Sequence, residues 1–175
     1  MARELYYWRQ QPTETTNAHP TELSTARATV APCLDALRGA KVLPDAYLDA
    51  AEELVAQATK CSASSETVGA TTYYFSQGPN KPYLNITVTE YGTLTGLSGE
   101  LGLADGFVSA DVAKAYRTML GLDSFTDWED ANPRGHGTPA PYYSAAAQLY
   151  LVANMDLGYF SVSVTSMAPD TYAEL

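Results

Sequence analysis

Charge, cysteine and histidine are all scarce in this chain. Only 17% of its 175 residues are Asp, Glu, Lys or Arg, against roughly 25% in an average globular protein. The deficit falls on the cations. Four lysines (Lys41, Lys60, Lys81 and Lys114) and six scattered arginines face 20 acidic residues, for a net charge of -10. Displacing the counterions of a phosphate backbone takes several clustered cations. Direct contact with nucleic acid is therefore excluded, and so is a polybasic membrane patch. The acids are diffuse as well. They are too thinly spread to mimic DNA and read as a solvated surface that aids solubility.

Long apolar runs are missing too. No window approaches the ~18 apolar residues of a membrane-spanning helix. Met1-Ala2-Arg3-Glu4-Leu5 has no basic region followed by an apolar stretch, so it does not read as a signal peptide. The expected location is the cytoplasm or a virion, with export only if a leader has been removed.

Histidine is limited to His19 and His136. The chain has no HExxH, CxxC, zinc-ribbon or DxDxDG spacing, so no metal site is expected. Gly92-Thr93-Leu94-Thr95-Gly96 and Gly99-Glu100-Leu101-Gly102 follow neither the P-loop nor the dinucleotide-binding order. A G-x-S-x-G elbow is absent. No cofactor and no assigned catalytic residue follow from these patterns.

Cys33 and Cys61 are the two cysteines. Leu23, Ala26, Val30, Cys33, Leu34 and Leu37 recur at helical spacing, as do Leu48, Ala51, Leu54, Val55, Ala58 and Cys61. Gly39 is placed to stop the first stripe and Pro44 to open the second. The pair reads as an antiparallel helical hairpin, with Pro32 kinking or restarting its first helix. In such a hairpin the thiols sit roughly 15 Å apart, beyond the ~7 Å Cα limit for a disulfide. Two buried, reduced thiols are expected.

Beyond the helices, Leu84, Ile86 and Val88 alternate with Tyr83, Asn85, Thr87 and Thr89, a strand with one buried and one polar face. Ala70 to Phe75 is strand-like across the turn chemistry of 76–81. Asn85-Ile86-Thr87 matches a glycosylation sequon but lies mid-strand. Residues 62–69 read as a polar loop. Residues 92–106 read as a twisted strand or a leucine-packed loop. Val112, Ala115, Tyr116, Met119 and Leu120 form a third helical stripe, with Ser109 as N-cap and Gly121 as stop. Tyr143 to Ala147 suggests a helical turn, 148–153 is helix or strand, and Asn154 to Gly158 looks like a turn. Phe160, Val162 and Val164 alternate with Ser161, Ser163 and Thr165 as a strand. The expected class is α+β: a mostly antiparallel sheet of two hairpins, with an N-terminal antiparallel helix pair and a third helix packed on one face. Residues 1–19 form an arm or linker, and residues 20–175 a single domain.

Two features bear on function. The first is the irregular segment 122–141, where Asp127, Trp128, Asp130, Arg134 and His136 make the densest polar cluster. These are candidates for binding a partner or ligand. Asp130 with His136 would be the acid–base pair if the protein were a small enzyme. The second is tyrosine, at 13 residues against 4 phenylalanines. Tyr6-Tyr7-Trp8, Tyr73-Tyr74 and Tyr142-Tyr143 place aromatics side by side. On a strand, neighbours face opposite sides, so one of each pair can enter the core while the other faces out. Outward tyrosine suits protein interfaces, having an apolar body, a polar tip and few rotamers to freeze. The expectation is a non-enzymatic structural protein that self-assembles, such as a virus or phage component. Its partners would be copies of itself or other protein subunits. A monomeric binding domain using residues 122–141 is the alternative, ahead of the small enzyme.

Overall fold

The computed structural model describes residues 19–65, 69–78, 82–103, 109–130, 141–156 and 159–166. Within them, helices α1 (Leu23–Gly39), α2 (Asp45–Gln57) and α3 (Ser109–Met119) accompany nine strands. The strands are β1 (His19–Pro20), β2 (Lys60–Ser64), β3 (Ala70–Ser76), β4 (Tyr83–Thr89), β5 (Leu94–Glu100), β6 (Glu129–Asp130), β7 (Pro141–Ser144), β8 (Leu149–Asp156) and β9 (Tyr159–Thr165). They form one sheet in the order β1-β2-β3-β4-β5-β9-β8-β7-β6. Every paired neighbour is antiparallel. The class is thus α+β, and the two expected hairpins are parts of two longer meanders that meet where β5 pairs with β9. Both outer strands span only two residues, which leaves little edge to template further strand pairing.

The helices cover one face of the sheet. Ala26, Val30, Cys33, Leu34 and Leu37 of α1 are buried, as are Tyr47, Leu48, Ala51, Leu54 and Val55 of α2. They share one core with Val112 and Tyr116 of α3 and with Phe75, Leu84, Ile86, Leu97, Leu151, Phe160 and Val162 of the sheet. The strand residues among them align across the register: Phe75 opposite Leu84, Ile86 opposite Leu97, and Leu97 opposite Val162. Tyr116, fully buried, donates its hydroxyl to the Leu94 carbonyl at 2.9 Å and so joins α3 to β5. Arg27 donates to the carbonyls of Val55, Ala56 and Ala58 at 2.8–3.0 Å. These oxygens at the end of α2 have no partner within the helix.

Several boundaries differ from the sequence reading. Helix α1 runs unbroken through Pro32, whose ring lies on the exposed side. Gly39 is the last residue of α1, as expected, but it is not the left-handed residue beyond it. The left-handed stop falls on Lys41 (φ 56°), with the Lys41 N–H bonded to the Arg38 carbonyl (3.2 Å) and the Val42 N–H to that of Leu37 (3.0 Å). This is the Schellman pattern with lysine where glycine is usual. A side chain in that conformation costs about 1–2 kcal/mol. Lys41→Gly is therefore expected to stabilise the fold by about 0.5–1 kcal/mol, after the added unfolded-state entropy of glycine. Thermal denaturation checks this: the midpoint should rise, and a fall would show that the lysine side chain makes up for its strained backbone. Gly121 (φ 73°) ends α3 in the same pattern, as expected.

Cys61 lies on β2, because α2 ends at Gln57, and the polar loop expected at 62–69 is strand through Ser64. Both cysteines are nevertheless buried and free. Burial raises both thiol pKa values, that of Cys61 to about 11. Tyr143 and Ser144 belong to β7 rather than a helical turn, and β8 continues through Asn154 to Asp156.

Candidate association surface

The opposite face of the sheet carries none of the helix-packing residues. Its side chains are uncharged for the most part. One lateral row runs Ser62, Tyr74, Asn85, Ser98, Ser161 and Asn154 across six strands. Beside it lie Tyr83, Glu100 and Tyr159 on one flank and Thr72, Thr87, Gly96 and Ser163 on the other. Thr72 and Thr87 share a hydrogen bond of 2.7 Å between their hydroxyls. The Tyr74 and Tyr83 rings lie 6.0 Å apart. Burial, with smaller contributions from Tyr159, Glu100 and Tyr74, holds the Tyr83 phenol well above its usual pKa, so it stays neutral.

The adjacent tyrosines separate across the sheet. Tyr73 and Tyr142 pack against the helix-side core. Tyr74 and Tyr143 take the other face, half-buried. There Tyr143 meets its cross-strand neighbour Tyr150, with ring centroids 4.5 Å apart and the planes tilted by 36°. Tyr6, Tyr7 and Trp8 lie outside the described residues. Sequence reasoning missed the contribution of Tyr150, Tyr83 and Tyr159: the first two have no aromatic neighbour in the chain, and Tyr159, beside Phe160, joins Glu100 and Tyr83 only through strand register.

The polar segment after α3 is divided. Arg134 and His136 lie outside the described residues, and Asp130 enters through its backbone alone, paired with Tyr142 in β6–β7. Trp128 donates its indole N–H to the Leu122 carbonyl at 3.4 Å, lies 5.6 Å from the Arg117 guanidinium and packs against the core. Asp127 accepts from the Ser144 hydroxyl (2.5 Å) and the Ala146 N–H (2.9 Å), clamping the β7–β8 turn. Those two bonds, the Ser144 bond first, hold the Asp127 carboxyl below its ordinary pKa. A carboxylate with a depressed folded pKa stabilises the fold above its unfolded pKa near ~3.9, and that contribution disappears as pH falls through the folded value. The thermal midpoint of the wild type should therefore drop more steeply below about pH 4 than that of Asp127→Asn. Parallel curves for the two proteins would remove the clamp from the account.

Among the described residues no group of three or more His, Cys, Asp or Glu is placed to hold a metal ion, and no helix is long and apolar enough to cross a membrane. The molecule is an α+β protein with three described helices on one face of an antiparallel sheet and a tyrosine- and hydroxyl-rich surface on the other. In comparisons with known proteins the chain matches no family model, no curated protein and no solved structure.

Proposed function

We propose that this is a non-enzymatic structural protein that associates with copies of itself, as a building block of a larger particle such as a virus or phage. The observation that carries the reading is the division of charge and aromatics between the two faces. The exposed side of the helix layer is charged, with Asp35, Asp45, Asp49, Glu52, Glu53 and Asp111 set beside Lys41, Lys114 and Arg38, the last of which pairs with Asp45, Asp49 and Glu52. Two copies with a net charge of -10 each repel one another wherever such surfaces meet. The half-exposed part of the sheet face, with Tyr74, Tyr83, Asn85, Ser98, Tyr143 and Tyr150, offers a largely neutral alternative, and the tilted Tyr143–Tyr150 pair lies toward its β6 end. Half-buried tyrosine is well suited to a self-complementary contact, in which the same patch serves both partners across a two-fold axis.

The test is the double substitution Tyr143→Ser/Tyr150→Ser. Sedimentation velocity should show the wild type associating and the variant shifted to monomer by at least tenfold in dissociation constant, the equivalent of about 1.4 kcal/mol. Far-UV circular dichroism should remain unchanged. Association of equal strength in the variant would remove these tyrosines from the interface.

A further inference from the structure

A cleft lies where Thr29 of α1 meets the end of β2, the start of β3 and the end of β4, and its volume is about 400 Å³. That falls within the roughly 300–1,000 Å³ usual for small-molecule sites. Such sites are mostly apolar, whereas this one is rich in hydroxyls: Thr29, Ser65, Thr71, Tyr73 and Thr89 line it together with Glu90. The fold explains the grouping. Thr71 and Tyr73 share the helix side of β3 with the core residue Phe75, and Ser65, just past β2, bonds to Thr71 through their hydroxyls at 3.3 Å. Thr89 and Glu90 come from the tip of the β4–β5 hairpin, which is fixed by the Glu90 N–H on the Gly69 carbonyl (3.0 Å) and the Gly92 N–H on the Thr89 carbonyl (2.9 Å).

The hydroxyl protons can be followed one by one. Thr29 donates to the Thr25 carbonyl at 3.0 Å. Ser65 and Thr71 use one proton between them. The Thr89 oxygen accepts from the Tyr91 N–H (3.3 Å) and the Thr93 N–H (3.1 Å), which leaves its proton to donate. The Tyr73 proton, the Thr89 proton and one proton of the Ser65–Thr71 pair thus have no acceptor among the described residues. Against these donors stands the Glu90 carboxylate, an acceptor with no cation beside it among the described residues.

We propose that this cleft binds a neutral saccharide. A ligand here has to accept from several hydroxyls and also donate to a carboxylate, and a sugar hydroxyl does both. A phosphate, sulfate or other anion is repelled by Glu90, the one charged residue among those described in the lining. An ammonium group only donates and leaves the three hydroxyl protons unmet. A peptide docking by strand addition finds no edge, because β3 and β4 are paired on both sides. The Tyr73 ring supplies an apolar surface for the C–H face of a sugar, and Tyr91, 86% exposed beside Glu90, offers a second ring at the same hairpin tip. The fixed hairpin lowers the entropy lost on binding. Nothing in this site depends on self-association, since the cleft is built by one chain on the helix side of the sheet.

Saturation-transfer difference NMR reads weak binding whatever the assembly state. The probes are glucose, galactose, mannose and N-acetylglucosamine, with choline as a cationic and triglycine as a peptide probe. At least one sugar should receive saturation from the wild type, and choline and triglycine should not. Glu90→Ala and Tyr73→Phe should each weaken that sugar by about tenfold. Glu90 is exposed, so its replacement should leave the thermal midpoint unchanged, and Tyr73→Phe removes a single hydroxyl. Asp111→Asn, an acid on α3 outside the cleft, should bind as the wild type does. Absence of saturation for all four sugars would overturn the proposal, as would equal binding by Glu90→Ala and Tyr73→Phe or a preference for choline or triglycine. Sugar binding by a chain that sediments as a monomer at every concentration would uphold this proposal and reject self-association.

Discussion

Gly99→Ala is expected to destabilise the fold by about 3 kcal/mol or more, a large loss for one methyl group. The reason is geometric. Gly99 lies in the middle of the sheet, paired with Leu84 on one side and Phe160 on the other. A Cβ at this position would lie 2.3 Å from the Tyr83 carbonyl oxygen and 3.1 Å from the Leu84 Cα. Both obstacles are backbone, so no rotamer change relieves the clash, and β4 would have to separate from β5, the strand through which the two meanders are joined. Gly96, on the same strand, is the control. There a Cβ meets only side-chain atoms at 3.4 Å and beyond, so Gly96→Ala should cost well under half as much. Urea denaturation of both variants gives the comparison, and equal stabilities would show that the close approach of β4 to Gly99 does not exist in solution.

Phe160→Ala should have the next largest effect. Its ring is fully buried and meets Tyr47 of α2 edge to face, with centroids 5.5 Å apart at 76°. Removing a buried phenylalanine side chain typically costs about 3–5 kcal/mol in lost transfer free energy and residual cavity. A domain's total stability is about 5–15 kcal/mol, so the variant should be close to unfolding at room temperature. The loss would also loosen α2 from β9, beyond what the cavity alone imposes. Phe160→Leu should restore much of the stability by refilling the space, without the ring contact. If Phe160→Ala unfolded at the same denaturant concentration as the wild type, the packing of the helix pair on the sheet would be wrong.

Much of the architecture could be read from residue spacing where one side of an element is buried and the other solvated. The stripes of α1, α2 and α3 and the alternation in β4 and β9 are of this kind. Strand β8 is different: Leu151, Val152, Ala153 and Asn154 are all buried, so no period of two survives and the segment reads equally as helix or strand. Strand β5 hides for another reason. Its register against β4 shifts between Thr87 and Val88, placing Leu94 and Leu97 three apart although both face the core. Strand β2 is short and has buried serines at 62 and 64, which composition assigns to a loop. The end of α1 at Gly39 is legible, but the left-handed position two residues on is not, because lysine rather than glycine takes it.

The candidate surface was legible only in part. Adjacent tyrosines imply that one ring of each pair leaves the core, and Tyr74 and Tyr143 do take the helix-free face. Their partners Tyr83 and Tyr150 are set by cross-strand register, which no local pattern encodes. The same is true of Asp127, whose bond to Ser144 spans 17 residues of sequence. A dense polar cluster in the chain looked like a site, yet two of its members, Asp127 and Trp128, are engaged in holding the segment after α3 to the sheet.

Sedimentation equilibrium of the full chain across a wide concentration range, at low and at high salt, tests the central claim most directly. The account predicts species heavier than the 18.8 kDa monomer whose share grows with concentration. Their association should hold or strengthen as salt screens the net negative charge of each copy. A single monomeric species at every concentration in both salts would contradict it.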